Sequence, residues 1–390
     1  MRRRDLLAAG ALSSALSLAG CLETLEREDA WRELVVDPPE GAYVPPKVDE
    51  MLPLGTATAD GLEVSLSATR PHSFWTVADG ERARADVRDH HDIHLMATVT
   101  DAETGLAVPT SVSTAINSRE ERIDERTLWP MLSQRMGFHY GDNVPLGEDG
   151  HHNATVRIEP TSAQVSGTLA DRLDAARTVD LEFEYAAAEI ESLDRRLIDE
   201  DEGRGESGAV EPMEHGHGHG DHESEAENDR DDHDSHSDHE SENDHGDHDA
   251  HDDDYDAEAD LETATDTWFG TAHSGDLEFG VGVLERGSDG TGEDTVVVSA
   301  RTRYNQFLIP FAGLSVAPVR DGSLGEKTPL GERLDAELGH HYGAPLERER
   351  LESTAELAVV VDATPQLSRH EGYETAFFDL EPATVGIALE

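Results

Sequence analysis

One cysteine, Cys21, stands in 390 residues. That excludes a disulfide framework and any cysteine-based zinc module. Basic residues are scarce, 30 Lys and Arg against 85 Asp and Glu, a formal net charge of -55. Such a balance excludes phosphate-backbone binding, because Lys and Arg are what displace a nucleic acid's counterions. No run of 18 apolar residues occurs, so no transmembrane helix of the usual kind is expected. No Ser/His/Asp order, phosphate loop or nucleotide fingerprint stands out either, so an enzyme is not expected.

What is there begins with the acid. Residues 214–256 hold 19 acids and one base, and the other 66 acids are spread through folded-looking sequence. Diffuse excess acid repels itself in dilute salt and is tolerated where salt screens it. The chain therefore reads as built for a very salty, halophilic setting.

The N-terminus runs Met1-Arg2-Arg3-Arg4-Asp5-Leu6-Leu7 and ends a small, apolar stretch at Leu18-Ala19-Gly20-Cys21. A basic start, a short apolar stretch and a small-residue site form a secretory signal, and the paired arginines point to twin-Arg export. Leu18 to Cys21 resembles a lipobox, so residues 1–21 are expected to be removed up to a lipidated Cys21. Residues 22–46 then act as a spacer, and the protein is tethered on the outer face of the cell membrane.

Beyond the spacer, apolar residues alternate with period two in Leu62–Ser67, Ile93–Val99, Thr155–Glu159 and Val179–Tyr185. Gly, Asp and Pro clusters separate these runs, which is the pattern of a β-sandwich. Leu169 to Ala176 is the one helix candidate. Residues 47–198 are read as a metal-binding sandwich and 199–262 as a disordered acidic linker, too poor in large apolar side chains to offset the entropy of ordering. Residues 263–390 repeat the first half. Met136-Gly137-Phe138-His139-Tyr140-Gly141 matches Leu338-Gly339-His340-His341-Tyr342-Gly343, and Asp92–Val99, Val108-Pro109 and Thr155–Glu159 match Asp294–Ala300, Ile309-Pro310 and Leu357–Val361 in the same order. An ordered series of matches indicates a tandem duplication. The expected fold is all-β: two immunoglobulin-like sandwiches joined by a His/Asp/Glu-rich linker.

Histidine and methionine gather at three places in the first copy. His94 and Met96 are two apart on one strand and share a sheet face, with His91 just before them. Met131 precedes His139 in a second segment, and His151 and His152 form a third. Imidazole with thioether suits Cu(I) and accepts Fe(II) or Zn(II). Met96 and Met131 could instead be core methionines, His139 a hydrogen-bonded turn residue, and His151 and His152 solvated.

Asp92-Ile93-His94-Leu95-Met96-Ala97, then Pro130-Met131 with His139-Tyr140-Gly141, then Val156-Arg157-Ile158-Glu159-Pro160 resembles the periplasmic iron-transport family over residues 50–190. That family comprises the metal-binding partners of bacterial iron permeases, dimeric immunoglobulin-like sandwiches whose copper site uses glutamate, methionine and two histidines. The resemblance puts the family's methionine on Met131 and its first histidine on His139, one residue further apart here. Its glutamate falls on Met96 and its second histidine on Arg157, which cannot ligate. His94, His151 or His152 must then complete the shell, and His94, Met96, Met131 and His139 are the expected ligands. The second copy keeps only His340 and His341 and reads as a degenerate partner, so the fused pair could reproduce the family's dimer within one chain, beside a homodimer as the other option. The resemblance implies delivery of iron or copper to a membrane iron permease or other metal transporter.

The linker carries ten of the chain's 21 histidines: His215, His217, His219, His222, His233, His236, His239, His245, His248 and His251. Such tracts collect divalent metals with modest affinity, and they also resemble the loops of zinc-uptake lipoproteins, which keeps zinc open as the cargo. A structural surface-layer protein with incidental histidines is the reading from another class. Asn153-Ala154-Thr155 is an N-glycosylation acceptor on an exported chain.

Overall fold

The computed structural model describes residues 40–119, 121–170, 172–213, 261–285 and 294–388. Cys21, the signal segment and the ten linker histidines lie outside the described residues.

The alternating runs are strands with one face buried and the other solvated. In Arg177–Tyr185 the odd-numbered residues Val179, Leu181, Phe183 and Tyr185 are buried and the acids between them are exposed, as expected where one side of an antiparallel sheet faces water. The Ile93–Asp101 strand differs. Its first five residues are all buried, so both of its faces are covered. Ile93, Leu95 and Ala97 enter the apolar core, while His94 and Met96 point to the opposite face.

The first half pairs a sheet in the order Leu52–Ala59, Leu62–Thr69, Ile93–Asp101, Gly137–Val144, Trp129–Ser133, Ser368–Arg369, Phe74–Ala78, Glu81–Ala85 with a second of Arg177–Tyr185, Gly150–Ile158, Val112–Ser118 and Glu121–Thr127. The second half repeats the plan. Its larger sheet runs Gln164–Val165, Gly331–Asp335, Gly339–Pro345, Thr295–Thr302, Leu277–Leu284, Thr267–Ser274. Twin tyrosines mark the likeness. The buried Tyr140 hydroxyl donates to the Val108 carbonyl and accepts from the Thr110 amide, both at 2.8 Å. The Tyr342 hydroxyl does the same with Ile309 and Ala312, at 2.8 and 3.1 Å.

One strand of each large sheet comes from the other half. Ser368–Arg369 runs parallel to the first half's edge, pairing with Met131 and Leu132. Gln164–Val165 runs parallel to the second half's edge, pairing with Arg333 and Leu334. Since Met131 and Arg333 occupy the same register opposite His139 and His341, the exchange is reciprocal, like the self-complementary contact of a two-fold dimer. The main apolar core is correspondingly a cluster drawn from both halves, with a small second cluster of Leu261, Leu284 and Val297 beside it.

Four expectations are corrected. Leu169 to Ala176 is not a helix. Only a 3-10 turn at Gly167–Leu169 forms, and the Arg172 carbonyl is met by the Arg177 guanidinium rather than by a helical amide. The linker does not begin at 199. Residues 199–213 open with the capped turn Glu200–Glu202, and Gly205 and Gly208 then donate to the Val44 and Ala42 carbonyls while Met213 donates to that of Arg135. The same pairings hold residues 40–46, assigned to the spacer, against the body, where Ala42 and Tyr43 are buried. Leu261, given to the linker's far end, is buried at the head of the Leu261–Ala264 helix.

Candidate metal centre

His94 and His139 are fully buried, as is Met131, and Met96 is nearly so. His139 lies opposite Met131 in the ladder, and Met96 opposite Gly141. Gly141 matters through what it lacks: a Cβ there would fall 2.8 Å from the Met131 sulfur and 3.0 Å from His94 Nε2. The thioether and the imidazole nitrogen thus approach one point over a glycine.

Two further histidines close around them. His72, in the segment after the Leu62–Thr69 strand, has its ring 4.1 Å from that of His94. His370, directly after the strand donated by the second half, lies 4.8 Å from His72, 5.9 Å from His94 and 5.7 Å from His139, centroid to centroid. Imidazoles bound through nitrogen at ~2.0 Å to a shared ion have centroids ~3 Å from it and therefore about 4–6 Å from one another, so all four spacings are compatible with one ion. Among the described residues no three His, Cys, Asp or Glu side chains already converge their donors on a point. Seating an ion therefore requires the rings to turn.

The hydrogen bonding leaves the needed nitrogens free. His139 Nδ1 faces the Gly137 carbonyl at 3.0 Å and His72 Nδ1 the Arg70 carbonyl at 3.3 Å. His94 Nδ1 faces the Asn143 side-chain oxygen at 3.1 Å, and Asn143 is oriented by donating its own amide to the His72 carbonyl. Each acceptor requires the proton on Nδ1, which leaves a bare lone pair on Nε2. Those three Nε2 atoms and both nitrogens of His370 are buried without a partner. Buried polar atoms are rarely left so, and an outer acceptor fixing Nδ1–H is the usual arrangement behind a metal-bound imidazole. Burial holds His72 and His139 down to about 4 and lowers His94 and His370 well below the ordinary imidazole value. The rings are thus neutral, as ligands must be.

The other candidates stand elsewhere. His151 is exposed. His152 is buried, but its two nitrogens are engaged by the Gly150 and Leu146 carbonyls at 2.9 and 3.0 Å, so it is a structural residue and not a ligand. His91 accepts from the Arg88 amide outside the cluster. Arg157 pairs with Glu159 at the surface. Asn153 lies on the face of its strand opposite buried His152 and Ala154. In the second half, His340 bonds the Glu332 carboxylate at 2.7 Å. His341 repeats the His139 bond, to the Gly339 carbonyl. The register sets Thr295, Val297 and Arg333 where the first half has His94, Met96 and Met131, and Ser166 where it has His370. The residue standing for His94 is therefore Thr295, and among the described residues His340 and His341 hold no equivalent cluster.

Sequence reasoning missed His72, His370 and the orienting Asn143. The signal was slight: His72 and His370 are single histidines outside the linker, without a spaced partner.

A domain family of unknown function (DUF7350) matches residues 262–386. No curated protein matches the chain. Among solved structures, FetP of the uropathogenic E. coli strain F11 aligns at 20% identity over 35% of this chain and 97% of its own, with a TM-score of 0.28. A copper-bound variant of that protein aligns at 21% over 35% and 93%, also at 0.28. A copper-bound variant of Campylobacter jejuni P19 aligns at 19% over 35% and 98%, at 0.27. Likenesses of this size say nothing of what the present chain binds.

Proposed function

We propose that this chain is an exported, lipid-anchored protein that binds one transition-metal ion as cargo and passes it to a membrane transporter. His72, His94, His139, His370 and Met131 are the groups that would hold the ion, with Met96 on the same sheet face. The observation that carries the reading is the set of five buried, unpartnered ring nitrogens beside a thioether and a glycine gap. Four imidazoles with a thioether form a borderline-to-soft set, favouring Cu(I) and accepting Fe(II) or Zn(II) over Mg(II) or Ca(II). Iron would bind more weakly than copper, as suits a cargo to be released to a permease. The histidines of 215–251 would serve as a low-affinity collector in addition to this site.

The test uses a chain lacking residues 214–260, purified without a histidine-affinity step. Titration with Cu(I) and Fe(II) should give one tight site per chain, and His370→Ala or Met131→Ala should weaken it about 100-fold or more. Equal binding by the parent and both variants overturns the reading.

A further inference from the structure

Beside the histidine cluster opens a basin of about 580 Å³. Phe74 and Asn143 form part of its wall, and both also touch the cluster, Phe74 edge-on to His94 at 5.8 Å and Asn143 through its bond to His94. The basin is thus the solvent-facing side of the wall that holds His94. Its charge is unlike that of the molecule. In a chain of net charge -55, the lining brings together Arg84, Arg88 and Arg126 with His90 and His91. Its two carboxylates are already engaged, Asp86 by Arg84 at 3.2 Å and Asp142 by Arg126 at 3.1 Å. Arg88 has no side-chain partner among the described residues, and the half-exposed Trp129 ring stands at the rim.

We propose that this basin is an anion-binding vestibule for a small polycarboxylate, the kind of chelator that keeps a transition-metal ion soluble. Guanidinium groups bind carboxylates with paired, charge-assisted hydrogen bonds, and a concave site concentrates their field against the acidic surface around it. Arg88 supplies the uncommitted fork, Arg84 lines the same basin, and the cargo ion carried by the chelate is brought against the wall formed by Asn143 and Phe74. The identity of the cargo rests on the metal-binding reading above, whereas the anion site does not.

The probe is citrate, titrated calorimetrically into the full, metal-free chain at fixed ionic strength. Saturable one-to-one binding is expected, weakened about tenfold or more in Arg84→Gln/Arg88→Gln. Arg88→Gln alone, which breaks no side-chain contact of the fold, should lose several-fold. Equal citrate binding by wild type and the double variant, no saturable binding by wild type, or acetate bound as tightly as citrate would overturn the proposal. Because citrate is titrated into the metal-free chain and the cargo site is read by metal titration, failure of the vestibule and failure of the metal site are read separately.

Discussion

Gly141→Ala tests the proposed centre without removing a ligand. Gly141 has no left-handed backbone requirement, and in an ordinary strand the exchange stabilises by about 0.5–1 kcal/mol through the unfolded chain. Here the added methyl meets the Met131 sulfur at 2.8 Å, His94 Nε2 at 3.0 Å and the Leu95 carbonyl at 3.1 Å. Overpacking of this kind costs about 1–3 kcal/mol, so the net loss of metal-free stability should be only ~1 kcal/mol. Metal affinity should suffer far more, since two donors are pushed off a common point. A loss of at least about 100-fold is expected, or ~2.7 kcal/mol. The duplication supplies the control. A Cβ at Gly343 meets Arg333 Nε and Cδ at 3.1 and 3.2 Å, so Gly343→Ala should carry a similar stability cost and leave metal binding alone. Urea melts of the metal-free proteins and competitive Cu(I) titrations read the two effects. Gly141→Ala binding within threefold of wild type, or Gly343→Ala losing metal equally, would refute the assignment.

Metal-free stability should fall as pH drops from 6.5 towards 4. In that window the unfolded imidazoles take up protons that folded His72 and His139, held by burial at about 4, refuse. The linkage is about 2 kcal/mol per histidine at pH 5, so His139→Gln should flatten the pH dependence of urea melts, and an unchanged slope would count against it. Arg369 is buried, donating to the Ala376 and Pro365 carbonyls and Thr364 Oγ1 and stacked on Phe377 and Phe378. Since it ties down the segment that presents His370, Arg369→Met should cost about 2 kcal/mol and weaken metal binding while every ligand remains, which denaturation and Cu(I) titration would show. Cys21→Ser should release the protein from membranes into the medium, and continued membrane association on fractionation would remove the anchor.

The local regularities were legible because they are local. Period-two alternation reports a strand, and Leu62–Ser67, Ile93–Val99 and Val179–Tyr185 fall within strands, while Thr155–Glu159 overruns its strand's end at Ile158 by one residue. The matched His-Tyr-Gly segments pointed to two similar halves, and the spacing of His94 and Met96, with Met131 leading to His139, identified one side of the cluster. Leu169–Ala176 misled because buried Leu169 and Leu173, four apart, imitate a helical stripe. Residues 199–213 misled because their order comes from backbone bonds to residues 42–44 and 135, which composition does not record. His370 was beyond reach of pattern altogether. It sits 231 positions from His139 and reaches it only because a short strand of the second half pairs in parallel with the first half's edge. Sequence by itself determined the strands, the duplication and three of the five side chains of the proposed donor set. Only tertiary structure decided which copy holds the complete cluster, because that depends on which half lends a histidine across the shared sheet, and Ser166 stands where the other half would have lent its own.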